Sequence, residues 1–202
     1  MQAGATYPMV IYLHGAGQRG NDNQGQVNDF ADLLRPFLDA NTRARFPAIV
    51  VAPQCPSDDQ WVNHPWTDGS YDVAKIPESQ ALKNVRAIIN NLRARHPIDA
   101  DRIYVVGYSM GGYGAWDLVA RTPELFAAAS PVMGGGSPSA APRLRNLAVW
   151  AFHNADDRSV PPVSDREMFE ALARAGGRPV YTEGASGGHF EFRAPGHSAW
   201  IP

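Results

Sequence analysis

The chain has 202 residues, 44% apolar and 19% charged, enough for one substantial core and one domain over residues 1–202. Its net charge of −2 gives no electrostatic reason to expect nucleic acid or an acidic membrane as partner. The sequence lacks an apolar run long enough to span a bilayer, and the lone Cys55 excludes an internal disulfide and a thiolate metal cluster.

Met1 is followed by Gln2-Ala3-Gly4-Ala5-Thr6, with neither the basic start nor the apolar stretch of a signal segment. The chain is therefore expected to be cytoplasmic, or a mature or excised form of an exported protein. Met9-Val10-Ile11-Tyr12-Leu13 predicts a buried strand that ends in the glycine-rich His14-Gly15-Ala16-Gly17-Gln18-Arg19-Gly20. Phe30, Leu33, Leu34, Phe37 and Leu38 recur at helical spacing, with Pro36 kinking or shortening that helix. Ala48-Ile49-Val50-Val51-Ala52 predicts a second strand, and a long polar loop carrying Trp61 and Trp66 runs to about Ile76. From Pro77-Glu78, Ala81, Val85, Ile88, Ile89 and Leu92 mark the apolar face of a helix to about His96.

Arg102-Ile103-Tyr104-Val105-Val106 predicts a third strand, followed by a helix around Ala115–Ala120. Phe126–Ser130 and Leu147–Phe152 predict further strands, with Gly134-Gly135-Gly136-Ser137-Pro138 between them as a flexible loop. A helix from about Val163 to Ala175 stops at Gly176-Gly177, and Pro179-Val180-Tyr181-Thr182 predicts the last strand. Near-continuous apolar strands separated by helices predict an α/β fold whose sheet is mostly parallel and flanked by helices on both faces.

The chemistry centres on Gly107-Tyr108-Ser109-Met110-Gly111, a G-x-S-x-G between strand and helix. A sharp turn there lifts the serine hydroxyl clear of the sheet, and the flanking glycines provide room for close backbone approach. In a parallel sheet the loops at the C-terminal strand ends gather along one edge, so partners for Ser109 are sought there. One such loop carries Asp156 and Asp157, and an aspartate there can fix the tautomer of a histidine; the bland alternative is a carboxylate capping the next helix. After the last strand come His189 and His197, each preceded by glycine. Serine, aspartate, histidine is the order expected of an α/β-hydrolase. The amide of Met110 and that of Ala16, or of Gly17 beside it, are the candidate oxyanion donors.

Those pieces together resemble the compact bacterial carboxylesterases of the α/β-hydrolase superfamily, near polyhydroxybutyrate-depolymerase-like and dienelactone-hydrolase-like esterases. The matching residues are Tyr12-Leu13-His14-Gly15-Ala16-Gly17 with Arg19-Gly20 and Asn23, Ala52-Pro53-Gln54-Cys55-Pro56 with Trp61, Gly107–Gly114 with Trp116-Asp117, and Asp157-Arg158-Ser159-Val160-Pro161. The resemblance implies an ester hydrolase with a Ser-His-Asp triad, no cofactor or metal, no lid domain, and an open site for small-molecule esters with short acyl groups. It implies Asp157, three residues before Val160-Pro161, as the acid, and Trp61 as a wall of the acyl pocket or as a tryptophan packed under a loop. For the base it favours His197, within Gly196-His197-Ser198-Ala199-Trp200, with His189 as the alternative. The family's first two strands and its closing helix have no counterpart here, so an excised domain of a longer protein, with an accessory domain upstream, is expected. Rival readings are a serine peptidase of the prolyl-oligopeptidase type and a hydrolase-like binding module without catalysis.

Overall fold

A computed structural model describes residues 4–28 and 34–191. Six strands, β1 (Tyr7–Leu13), β2 (Ile49–Val51), β3 (Ile98–Tyr108), β4 (Ala128–Val132), β5 (Ala148–Asn154) and β6 (Val180–Gly184), form one sheet in the order β2-β1-β3-β4-β5-β6. Every neighbouring pair is parallel. The chain steps from β1 outward to β2 and then returns to place β3 on the other side of β1. That reversal falls at the C-terminal ends of β1 and β3, the place where ligands of open α/β sheets bind.

Each predicted strand overlaps an observed one, with β4 starting at Ala128 rather than Phe126. Met9, Ile11, Leu13, Ile103, Val105, Ala129, Val149 and Ala151 alternate onto one face and are nearly fully buried. Against them pack α4 (Gln80–Arg95), α5 (Met110–Arg121) and α7 (Val163–Arg174). α4 begins at Gln80 rather than Pro77, because the Ser79 hydroxyl accepts the Leu82 N–H at 3.1 Å and caps the helix there. The short α6 (Ala141–Leu144) precedes β5.

The segment after β1 holds α1 (Gly25–Asn28), α2 (Arg35–Leu38) and α3 (Ala40–Arg45). Pro36 is the second residue of α2, and Asp39 separates α2 from α3 by accepting the Thr42 N–H at 2.8 Å. On this second face Leu34 packs with Tyr12, Val50 and Ala52. Farther along it, Val10, Tyr104, Trp150 and Val180 line an open groove of about 1570 Å³ with Phe37 and Phe46. Among the described residues, no helix is long and apolar enough to cross a membrane.

The Gly134–Pro138 segment departs from expectation. Instead of a flexible loop, it is a packed one whose glycines are buried between α5 and α7. A β-carbon on Gly135 would lie 2.7 Å from both Ser164 Cβ and the Tyr113 hydroxyl, so close packing accounts for the glycine run.

Candidate active site

Ser109 stands between β3 and α5 with φ 58° and ψ −121°, a backbone region costly for a residue with a β-carbon. Its own amide donates to the Val132 carbonyl at 2.9 Å, and its carbonyl accepts the Gly112 N–H at 2.8 Å, which holds the turn closed. A β-carbon on Gly107 would overlap the Gly111 carbonyl, and one on Gly111 would overlap the Leu13 carbonyl. The glycine spacing therefore lets two strands and a helix meet without space for a methyl group.

His189 completes the line. Its Nε2 is 2.7 Å from Ser109 Oγ, and its Nδ1 is 2.7 Å from Asp157 Oδ2. Asp157 Oδ1 accepts the backbone N–H groups of Ser159 at 2.8 Å and Val160 at 3.0 Å. Burial opposes the Asp157 charge, but hydrogen bonds from His153, His189, Val160 and Ser159 outweigh it and hold the carboxyl well below the usual range. His197 and Trp200, on which the favoured base rested, lie outside the described residues, and the histidine found at Ser109 is the alternative, His189.

The loop that delivers His189 is fixed by residues far away in sequence. Asp156 accepts the Gly188 N–H at 2.8 Å and the Gly187 N–H at 3.3 Å. Asn154 Nδ2 donates to the Gly188 carbonyl at 2.8 Å and to that of Glu191 at 2.6 Å. The Tyr108 hydroxyl donates to the His189 carbonyl. Sequence reasoning left Asp156 without a role and passed over Tyr108 and Asn154, since nothing local marks side chains that recognise a loop thirty to eighty residues away.

Ala16 opens a 3-10 turn after β1, and Met110 is the first residue of α5. As first-turn donors their N–H groups have no intrahelical acceptor, and among the described residues neither is hydrogen-bonded to the protein. The turn is pinned from three sides. His14 donates from Nδ1 to the Gly15 carbonyl at 2.7 Å and accepts the Cys55 N–H at Nε2 at 2.9 Å. Burial keeps that imidazole neutral by pushing its pKa down. Arg19 Nε donates to the Ala16 carbonyl at 3.1 Å.

Trp61 supplies the third pin by donating from Nε1 to the His14 carbonyl at 2.9 Å. It is 1% exposed, so it is a tryptophan packed under a loop and not a wall that a substrate could touch. Trp61→Phe is expected to destabilise the fold by about 1–3 kcal/mol, because the buried His14 carbonyl loses its donor. Ester turnover should fall through kcat with KM nearly unchanged. Urea denaturation and steady-state kinetics check both halves.

Behind Asp157 sits His153, with Nε2 3.3 Å from Asp157 Oδ2 and Nδ1 2.8 Å from Asp165 Oδ2. Burial disfavours its charged form, yet the bonds to Asp157 and Asp165 win and push the imidazole up to about 9. The folded state thus holds this proton more tightly than the unfolded chain. Its stabilisation is full below the ordinary histidine value of 6.5 and is lost as pH rises through about 9. Thermal scans are expected to show stability falling over that alkaline window by about 1–3 kcal/mol. A flat profile there would show that His153 releases its proton at the ordinary pH.

Comparison with known proteins came to the same fold. A model described as the dienelactone hydrolase family matches residues 69–179. Poly(3-hydroxyalkanoate) depolymerase C of Paucimonas lemoignei is 36% identical over 58 residues, which are 29% of this chain and 14% of that protein. The crystal structure of a thermostable esterase superposes with TM-score 0.81 and 36% identity, covering 91% of this chain and 48% of that one. A putative dienelactone hydrolase from Klebsiella pneumoniae subsp. pneumoniae, at 20% identity and TM-score 0.64, covers 98% of this chain and 82% of its own. The chain thus spans less than half of the esterase and a small part of the depolymerase, while the family model takes in more than half of the chain. It has the α/β-hydrolase fold and belongs to the dienelactone hydrolase family.

Proposed function

We propose that this protein is a serine carboxylesterase that hydrolyses short-chain esters through an acyl-enzyme. The observation that carries the reading is the unbroken line from Ser109 Oγ through His189 to Asp157, with both links at 2.7 Å. His189 Nε2 takes the Ser109 proton as Oγ attacks the ester carbonyl, and Asp157 steadies the imidazolium that forms. The amides of Ala16 and Met110 bind the tetrahedral oxyanion. His189 then protonates the leaving alcohol and afterwards activates the water that releases the acid. A polyester depolymerase and a thermostable esterase among the relatives support esters as the substrate class.

The test is direct. A fluorophosphonate probe is expected to label one serine, mapped by peptide mass to Ser109. A series of p-nitrophenyl esters is expected to turn over fastest at the shortest acyl chains. A protein that neither takes the label nor hydrolyses any of the series is not a serine esterase.

A further inference from the structure

The hydrogen bonds do not stop at Asp157. His153, near the end of β5, is 0% exposed, as is Asp165 in the first turn of α7. Asp165 accepts the Trp116 indole N–H at 2.6 Å and the Gly134 N–H at 3.1 Å, and it faces His153 Nδ1 at 2.8 Å. The Trp116 indole and the Gly134 amide donate one to each Asp165 oxygen, which makes Asp165 the acceptor toward His153 and places a hydrogen on His153 Nδ1. His153 Nε2 faces Asp157 Oδ2 at 3.3 Å and the Val160 carbonyl at 3.2 Å. A carbonyl cannot donate. Asp157, already surrounded by N–H groups from Ser159, Val160 and His189, is also acceptor-only. A neutral His153 would aim a lone pair at two oxygens in a buried site, and only a second N–H meets them.

We infer that His153 is a positioning residue for the hydrolytic site: a lasting imidazolium, clamped between Asp157 and Asp165, that orients Asp157 and offsets its charge toward His189. This inference rests on reading Ser109, His189 and Asp157 as the triad. The groups facing His153 come from every element around it. Asp157 lies in the following loop and Asp165 on α7, while Glu183 on β6 lies opposite His153 and pairs with Arg166 at 2.6 Å. Tyr113 on α5, Tyr108 on β3 and Tyr181 on β6 stay neutral, because burial pushes each phenol upward. His189 completes the set through Asp157. With Glu183 neutralised by Arg166, the buried balance is two carboxylates against one imidazolium. Without the His153 charge both carboxylates would act on His189 uncompensated, and its protonated form would persist to higher pH.

Two measurements test this. In the wild-type protein with 15N-labelled histidine, two-bond 1H–15N spectra should show both His153 nitrogens protonated up to about pH 8. A single-nitrogen tautomer at about pH 7 overturns the inference, whether or not the protein cleaves esters. In His153→Gln, the acid limb of kcat/KM for p-nitrophenyl acetate should move about one pH unit upward. Activity lost evenly at all pH, with the limb in place, reduces His153 to packing and overturns the inference as well. The spectra need only the folded wild-type protein, so they decide the charge even if the variant does not fold. A wild type that cleaves no ester defeats the triad reading and leaves the spectra to stand alone.

Discussion

Alanine at Ser109 or at His189 is expected to lower kcat/KM for a short p-nitrophenyl ester by about three decades or more, while alanine at His197 leaves it near the wild-type value. The two large losses share an origin. In the proposed reaction, removing Oγ deletes the atom that forms the acyl bond, and removing the imidazole leaves a hydroxyl with no base at 2.7 Å. Because the two groups act as one unit, the double variant should be scarcely worse than either single variant. Both side chains are buried but small at the reacting end, so folding should survive; circular dichroism checks that. A reversed result, with His197→Ala dead and His189→Ala active, would move the base to the Gly196-His197 segment.

Gly111→Ala should be among the most damaging single methyl additions at the described glycines. The added carbon would overlap the Leu13 carbonyl and lie 2.8 Å from that of His14. Both are backbone atoms at the end of β1, so no rotamer change relieves the contact. Either α5 withdraws, taking Met110 and the elbow with it, or the turn carrying Ala16 is pushed aside. The expected cost exceeds about 3 kcal/mol, with a midpoint lowered by roughly 10 °C and loss of most activity. Gly17→Ala is the control, since a β-carbon there meets nothing within 4 Å. It should stay within about 0.5 kcal/mol of wild type, as surface substitutions commonly do. Equal effects at 111 and 17 would mean that the turn and the helix are not packed as described.

The sheet was readable because a buried parallel strand has a loud local pattern, an apolar run stopped by glycine or proline. The elbow was readable because its close approaches require glycine at fixed offsets from Ser109. The histidine was not. Gly-His occurs twice after the last strand, and what brings His189 to Ser109 is a grip by Tyr108, Asn154 and Asp156, which no local pattern records. His153 and Asp165 were hidden differently. A histidine at a strand end and an aspartate in a helix's first turn are both ordinary, and only their facing each other across β5 and α7 gives them meaning. The Gly134–Gly136 run misled because glycine signals either freedom or crowding, and neighbours distant in sequence decide which.

The positive φ at Ser109 sets durability against chemistry. Glycine is the residue that its backbone would accept most easily, relieving about 1–3 kcal/mol of local strain, and glycine has no hydroxyl. A laboratory selection for heat resistance alone would therefore be drawn to a position where success ends the proposed reaction. Any campaign to harden this fold needs an activity screen at every round, or position 109 held fixed from the start.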